Sequence, residues 1–158
     1  MNDWLLDHPD ILHVVFHPRS AYSATSESPD ARIVTIPVAP DVAVGGKLYP
    51  ADYQSPLILY FHGNGEIADD YDDLAPLYNR IGITLLVVDY RGYGISQGTP
   101  SASTLLTDAV AVFEALPALC EDEQLAPLRT YVMGRSLGSV PRHRDRPASG
   151  RTSNGVDC

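Results

Sequence analysis

The chain has 158 residues, 44% hydrophobic and 20% charged, the ordinary range for one folded domain, which excludes disordered, collagenous and disulfide-scaffold proteins. With 11 Lys and Arg against 20 Asp and Glu the formal charge is -9, a balance that repels a phosphate backbone and argues against nucleic acid as a partner. The charge is uneven: residues 1–139 carry 7 basic and 18 acidic side chains, whereas residues 140–158 carry 4 and 2. Cys120 and Cys158 form neither a disulfide framework nor a metal-ligand pattern, which suits a reducing compartment. The N-terminus has no basic stretch followed by an apolar core, and no apolar run approaches the ~20 residues of a membrane helix. The expectation is a cytoplasmic protein with no signal peptide and no membrane span.

A short opening segment, 11–16, precedes a linker-like stretch, 17–30, rich in Ser, Pro and small residues. Residues 31–38 and 42–49 read as two strands joined by Pro40-Asp41 in a hairpin. Pro56-Leu57-Ile58-Leu59-Tyr60-Phe61 is a nearly continuous apolar run, as expected of a strand covered on both faces, and it ends at His62-Gly63-Asn64-Gly65. Ile67, Tyr71, Leu74, Tyr78 and Ile81 then keep helical spacing, predicting one helix that Gly82 terminates. Asp69, Asp70, Asp72 and Asp73 in its first turns suit the helix N-terminus and a solvated face better than a cation site.

Residues 83–89 read as a second buried strand, followed by the loop Tyr90-Arg91-Gly92-Tyr93-Gly94. Its glycines, with Gly98, miss the spacing of a dinucleotide loop. Thr99-Pro100 predicts the cap and first turn of another helix, with Leu105, Ala109, Val112, Phe113 and Leu116 on its apolar side and Pro117 after it. Residues 129–133 form a further strand. Strand, helix, strand, helix, strand is the alternation of an α/β protein with a mostly parallel sheet. No cofactor and no metal is expected.

Gly134-Arg135-Ser136-Leu137-Gly138 follows that strand directly and fits Gly-x-Ser-x-Gly. A serine on a tight strand-to-helix turn is held in a strained conformation that projects its hydroxyl above the sheet, and only small flanking residues fit there. His62-Gly63-Asn64-Gly65 is the upstream counterpart. Acyl transfer needs two backbone N–H donors aimed at the developing oxyanion, one after the nucleophile and one from an earlier strand-to-loop turn. Leu137 would supply the first and Asn64, or else Gly65, the second, with Gly63 and Gly65 letting the backbone approach the substrate. His62 lies before the serine and reads as a buttress of its turn rather than as a base.

The segments LILYFHGNGE (57–66), VVDYRGYGISQGTPS (87–101) and YVMGRSLGS (131–139) resemble the oxyanion strand, the loop after the fourth strand and the nucleophile elbow of the α/β-hydrolase superfamily, nearest its serine-aminopeptidase and lysophospholipase-like branch. The resemblance spans about residues 30–140. It implies Ser136 as nucleophile and the Asn64 and Leu137 backbones as oxyanion hole, acting on a small-molecule ester, thioester or amide.

In that superfamily the acid and then the base follow the serine on later strand loops. Only 22 residues follow Ser136, and each further strand-plus-helix unit takes about 30. His143, Asp145 and Asp157 are the remaining candidates, in a segment (141–158) whose only large aliphatic residue is Val156. The expectation is a disordered Arg-rich tail, an α/β-hydrolase fragment over 31–140 with its C-terminal strands missing, and an N-terminal segment and linker over 1–30. The expectation is a reading-frame change after Val140, supported by a one-base shift inside Arg142 that would permit Ala-Ile-Glu-Ile-Ala, a sensible helix continuation. On this reading the chain is inactive alone and its open sheet edge invites self-association. The competing reading is a non-catalytic binding or dimerisation module that uses that edge.

Overall fold

The structure, a computed structural model, describes residues 7–21 and 30–139; the expected tail, with His143, Asp145 and Asp157, lies outside the described residues. Among the described residues five strands form one sheet in the order β1-β2-β4-β3-β5, with β1 Arg32–Ala39, β2 Val42–Tyr49, β3 Leu57–Phe61, β4 Thr84–Val88 and β5 Thr130–Gly134. The helices are α1 Pro9–Val15, α2 Ala75–Arg80 and α3 Ala102–Asp122, joined by 3₁₀ turns at Ala68–Tyr71 and Ser136–Gly138.

β3 and β4, the two uninterrupted apolar runs, lie side by side and parallel, and β5 adds to β3 in parallel. Alternation in each strand serves both faces. Leu57, Leu59, Phe61, Leu86 and Val88 face α3, whose Leu105, Ala109, Val112 and Leu116 cover them. Tyr60, Leu85 and Val87 face the opposite side, where Tyr49, Tyr71 and Ala75 pack. Each Leu, Val or Phe side chain among them removed from water stabilises the fold by about 1.5–3 kcal/mol.

The sheet is mixed, yet mostly parallel in direction as expected: among the described strands β1, β3, β4 and β5 run the same way and β2 runs against them. β1 and β2 form the expected antiparallel hairpin around Asp41, which takes a φ of 60°. β2 then returns antiparallel to β4, because a hairpin reverses the chain before it reaches the parallel set. Pro37 lies on β1, the edge strand, beside the register shift between Pro37 and Ala39, a position where a missing N–H is tolerated.

The single helix expected between Ile67 and Ile81 is instead a 3₁₀ turn followed by the short α2. Pro76 near the start of α2 suits a new first turn and disfavours a continuous helix through residue 74. Ile67 and Tyr71 are buried as the stripe requires, but Leu74 and Ile81 are exposed and Ala75 takes the inward place. The tighter winding, three residues per turn, aligns Asp69 with Asp72. Both pair with Lys47, at 2.7 and 2.9 Å, so these two acids serve a shielded ion cluster rather than a solvated face.

α3 also departs from expectation. Its cap is Ser101, whose hydroxyl accepts the Thr104 N–H while Thr104 answers the Ser101 N–H, and not Thr99. The helix runs on through Pro117, which sits on the exposed face with Phe113, where the carbonyl left without an intrahelical donor can be hydrated. By length and composition alone the 21 residues of α3 are enough to cross a membrane, a test that a core helix packed on a sheet also passes. Its inward row packs on the sheet, and Asp108 within it holds Arg91 through two hydrogen bonds of 2.6 and 2.7 Å.

The N-terminal segment is part of this body. Phe16 is buried in the core beside Leu12. The described part of the linker-like stretch is bound too: the Gly94 N–H donates to the Arg19 carbonyl at 2.7 Å and the Ala21 N–H to the Gly94 carbonyl at 3.1 Å.

Candidate active site

β3 and β5 pair in register with Phe61 opposite Gly134, so the turns that leave their C-terminal ends emerge side by side. The Arg135 N–H donates to the Phe61 carbonyl at 3.1 Å and carries the pairing one residue past β5. Ser136 then takes a φ of 53°, one of three described non-glycine residues in the left-handed region, and its side chain is exposed. The turn closes through the Gly138 N–H on the Arg135 carbonyl at 2.9 Å and the Ser139 hydroxyl on the Ser136 carbonyl at 2.6 Å.

The flanking glycines are dictated by space. A Cβ on Gly134 would lie 1.8 Å from the Gly138 carbonyl oxygen, and one on Gly138 would lie 2.0 Å from the Phe61 carbonyl oxygen. The serine is therefore held in a conformation that costs about 1–2 kcal/mol for a residue with a Cβ. Ser136→Gly is expected to raise stability by about 1 kcal/mol in urea unfolding; an unchanged or lower stability would mean that the turn stores no strain.

The upstream turn presents its own donors. The Gly63 N–H is taken by Glu66 Oε2 at 2.7 Å. Among the described residues neither the Asn64 nor the Leu137 N–H is given to a protein acceptor. These are the two groups expected to face an oxyanion.

Asn64 has a second part to play. Its Oδ1 accepts the Tyr93 hydroxyl at 2.8 Å and the His17 N–H at 3.1 Å, while its Nδ2 donates to the Val15 carbonyl at 2.5 Å. Arg19 Nη1 donates to the Gly65 carbonyl at 2.8 Å. Residues 15–19 are thus laced across the turn. Sequence reasoning missed them because their bonding atoms are mostly backbone groups, and only the apolar Phe16 hinted at packing.

His62 lies beneath the turn, fully buried. Its Nδ1 donates to the Gly63 carbonyl at 2.8 Å, its ring packs on Tyr90 and Tyr93 at centroid distances of 4.5 and 5.5 Å, and Nε2 faces Asp89 Oδ1 at 3.2 Å without hydrogen-bond alignment. The Tyr90 hydroxyl donates to the His62 carbonyl at 2.6 Å. A ring enclosed in this way supports the turn and has no path to an exposed serine. The Ser136 hydroxyl itself has no hydrogen-bond partner among the described residues.

Burial holds the phenols of Tyr49, Tyr71, Tyr90 and Tyr93 neutral above their ordinary value of 10.0. Since ionisation is disfavoured only in the folded state, the stabilisation is complete below pH 10 and disappears as pH rises through the folded values. Of the nine tyrosines, these four are expected to ionise only with unfolding in an absorbance titration. A single wave of all nine near pH 10 would contradict the packing.

The mixed sheet, the strand order and the two turns at one sheet end define an α/β hydrolase, and residues 54–142 match the family described as serine aminopeptidase, S33. The chain belongs to that family. It is 32% identical over 120 residues to an uncharacterized protein of Mycobacterium tuberculosis, covering 75% of this chain and 42% of the relative. It is 36% identical over 86 residues to the lysophosphatidylserine lipase ABHD12 of Rattus norvegicus, covering 53% and 20%. The chain spans less than half the length of either relative. Among solved structures, the esterase Pf2001 of Pyrococcus furiosus shares the fold with a TM-score of 0.61 at 21% identity, over 80% of this chain and 51% of the esterase.

Proposed function

We propose that this chain carries the nucleophile half of a serine hydrolase that cleaves small esters, thioesters or amides through an acyl-enzyme on Ser136. The observation that supports it most is the left-handed Ser136 between two glycines that admit no Cβ, beside a turn with an unspent N–H. In the reaction the Ser136 Oγ attacks the acyl carbon as its proton passes to a base. The carbonyl oxygen gains negative charge between the Asn64 and Leu137 N–H groups, and collapse expels the alcohol, thiol or amine. Water then releases the acid. The relative named as a lipase and the neighbour named as an esterase favour esters within that range.

The described residues do not furnish the base. His62 is enclosed and His17 is turned to Asn64, its Nδ1 3.0 Å from Asn64 Nδ2. The same proposal therefore includes slow turnover by this chain alone. A boronic acid tests the nucleophile and oxyanion donors without needing turnover, because serine addition makes boron tetrahedral. Phenylboronic acid is expected to give a tetrahedral boron-11 signal with the chain and none with Ser136→Ala. Equal spectra for both would overturn the proposal.

A second reading rests on β5. Among the described residues it pairs only with β3, and Leu128, Tyr131 and Met133 beside that edge are exposed. Such an edge suits association with another strand. Light scattering that finds a monodisperse dimer, broken by Tyr131→Lys, would favour a binding module; a monomer would remove it.

A further inference from the structure

The two turns of the site are joined by one carboxylate. Glu66 stands one residue past the glycine-rich turn, and its Oε2 accepts both the Gly63 N–H at 2.7 Å and the Tyr71 hydroxyl at 2.9 Å. Its Oε1 pairs with the guanidinium of Arg135, the residue immediately before Ser136. Tyr71 is buried and fixes the carboxylate from below. The carboxylate lies close over Gly63: a Cβ there would lie 3.0 Å from Oε2, so a side chain would press on the carboxylate.

We infer that Glu66 is a positioning residue that sets the separation of the Asn64 and Leu137 N–H donors by holding the oxyanion turn and the nucleophile turn through its two oxygens. The inference rests on the proposed reading of these turns as one site. A carboxylate only accepts, and both of its oxygens are engaged, so a change at Arg135 must be felt at Gly63 although the two do not touch. Arg135 is exposed and can be altered without opening the core, whereas Glu66 is mostly covered.

The test uses the full 158-residue chain as wild type, Arg135→Met, Glu66→Gln and the double variant, with amide hydrogen exchange of Gly63 followed by NMR. Arg135→Met is expected to speed Gly63 exchange about threefold, the scale of a partly exposed ion pair. In Glu66→Gln the exchange is fast already, and adding Arg135→Met leaves it there. Phenylboronic acid affinity is expected to fall in both single variants with no further loss in the double. Gly63 exchange unchanged by Arg135→Met, or effects that multiply in the double variant, would overturn the inference. If Glu66→Gln does not fold, the Arg135→Met exchange result alone decides it. Coupled exchange with no boronic acid binding in any form would overturn the hydrolase reading and leave the coupling intact.

Discussion

Gly138→Ala is expected to lower stability by about 3–5 kcal/mol, the upper end for a single methyl group. The added carbon would sit 2.0 Å from the Phe61 carbonyl oxygen and 2.9 Å from that of His62. Both are backbone atoms at the end of β3, so neither can swing aside as a long side chain would, and the strand or the turn has to separate. Phe61 O also receives the Arg135 N–H, so that bond is lost in the same movement. Gly82→Ala is the control. Gly82 has a φ of 75° with nothing within 4 Å of its would-be Cβ, so only the left-handed penalty of about 1–2 kcal/mol applies. Urea unfolding of both variants separates crowding from conformation; equal losses would show that the β5 turn is not packed against β3.

Lys47→Ala is expected to cost about 3 kcal/mol. The Lys47 side chain is 6% exposed, with its ammonium 2.7 Å from Asp69 and 2.9 Å from Asp72, and Tyr49 donates to Asp72 at 2.7 Å. Removing the cation leaves two carboxylates close together with little water, which is costlier than losing an exposed pair. Burial works against the ammonium, yet the two carboxylates outweigh it and hold its pKa above the ordinary 10.5. A group raised in the folded state stabilises fully below its unfolded value and loses that contribution as pH rises through the folded one. Wild-type stability should therefore fall above pH 10.5 by more than that of Lys47→Ala. Parallel alkaline profiles, or a loss under about 1 kcal/mol, would mean that the cluster is solvated.

The fold was legible where one residue pattern admits one structure. Runs such as Leu57-Ile58-Leu59-Tyr60-Phe61 must be covered on both faces, so β3 and β4 were clear, as was the hairpin at Asp41. The pairing of β2 with β4 was not, because strand composition does not specify the neighbour. Helical spacing from Ile67 to Ile81 persists whether the segment is one helix or a 3₁₀ turn and a short one, so the break was hidden. Asp69 and Asp72 looked solvated because Lys47, their partner, lies more than 20 residues away. Within the site, residues that need small size or a special backbone stood out: Gly134, Ser136 and Gly138. Residues 15–19, bonding mostly through backbone atoms, and Glu66, whose reach to Arg135 spans 69 positions, left no local trace.

The most direct test of the account is fluorophosphonate modification of the 158-residue chain with peptide mapping, run with and without imidazole as an external base. The account predicts slow labelling that imidazole accelerates, confined to Ser136 and absent from Ser136→Ala, because the proposal makes Ser136 the nucleophile and the described residues offer no imidazole to its hydroxyl. No Ser136 adduct even with imidazole would contradict the nucleophile assignment, and rapid labelling without it would contradict the absence of a base.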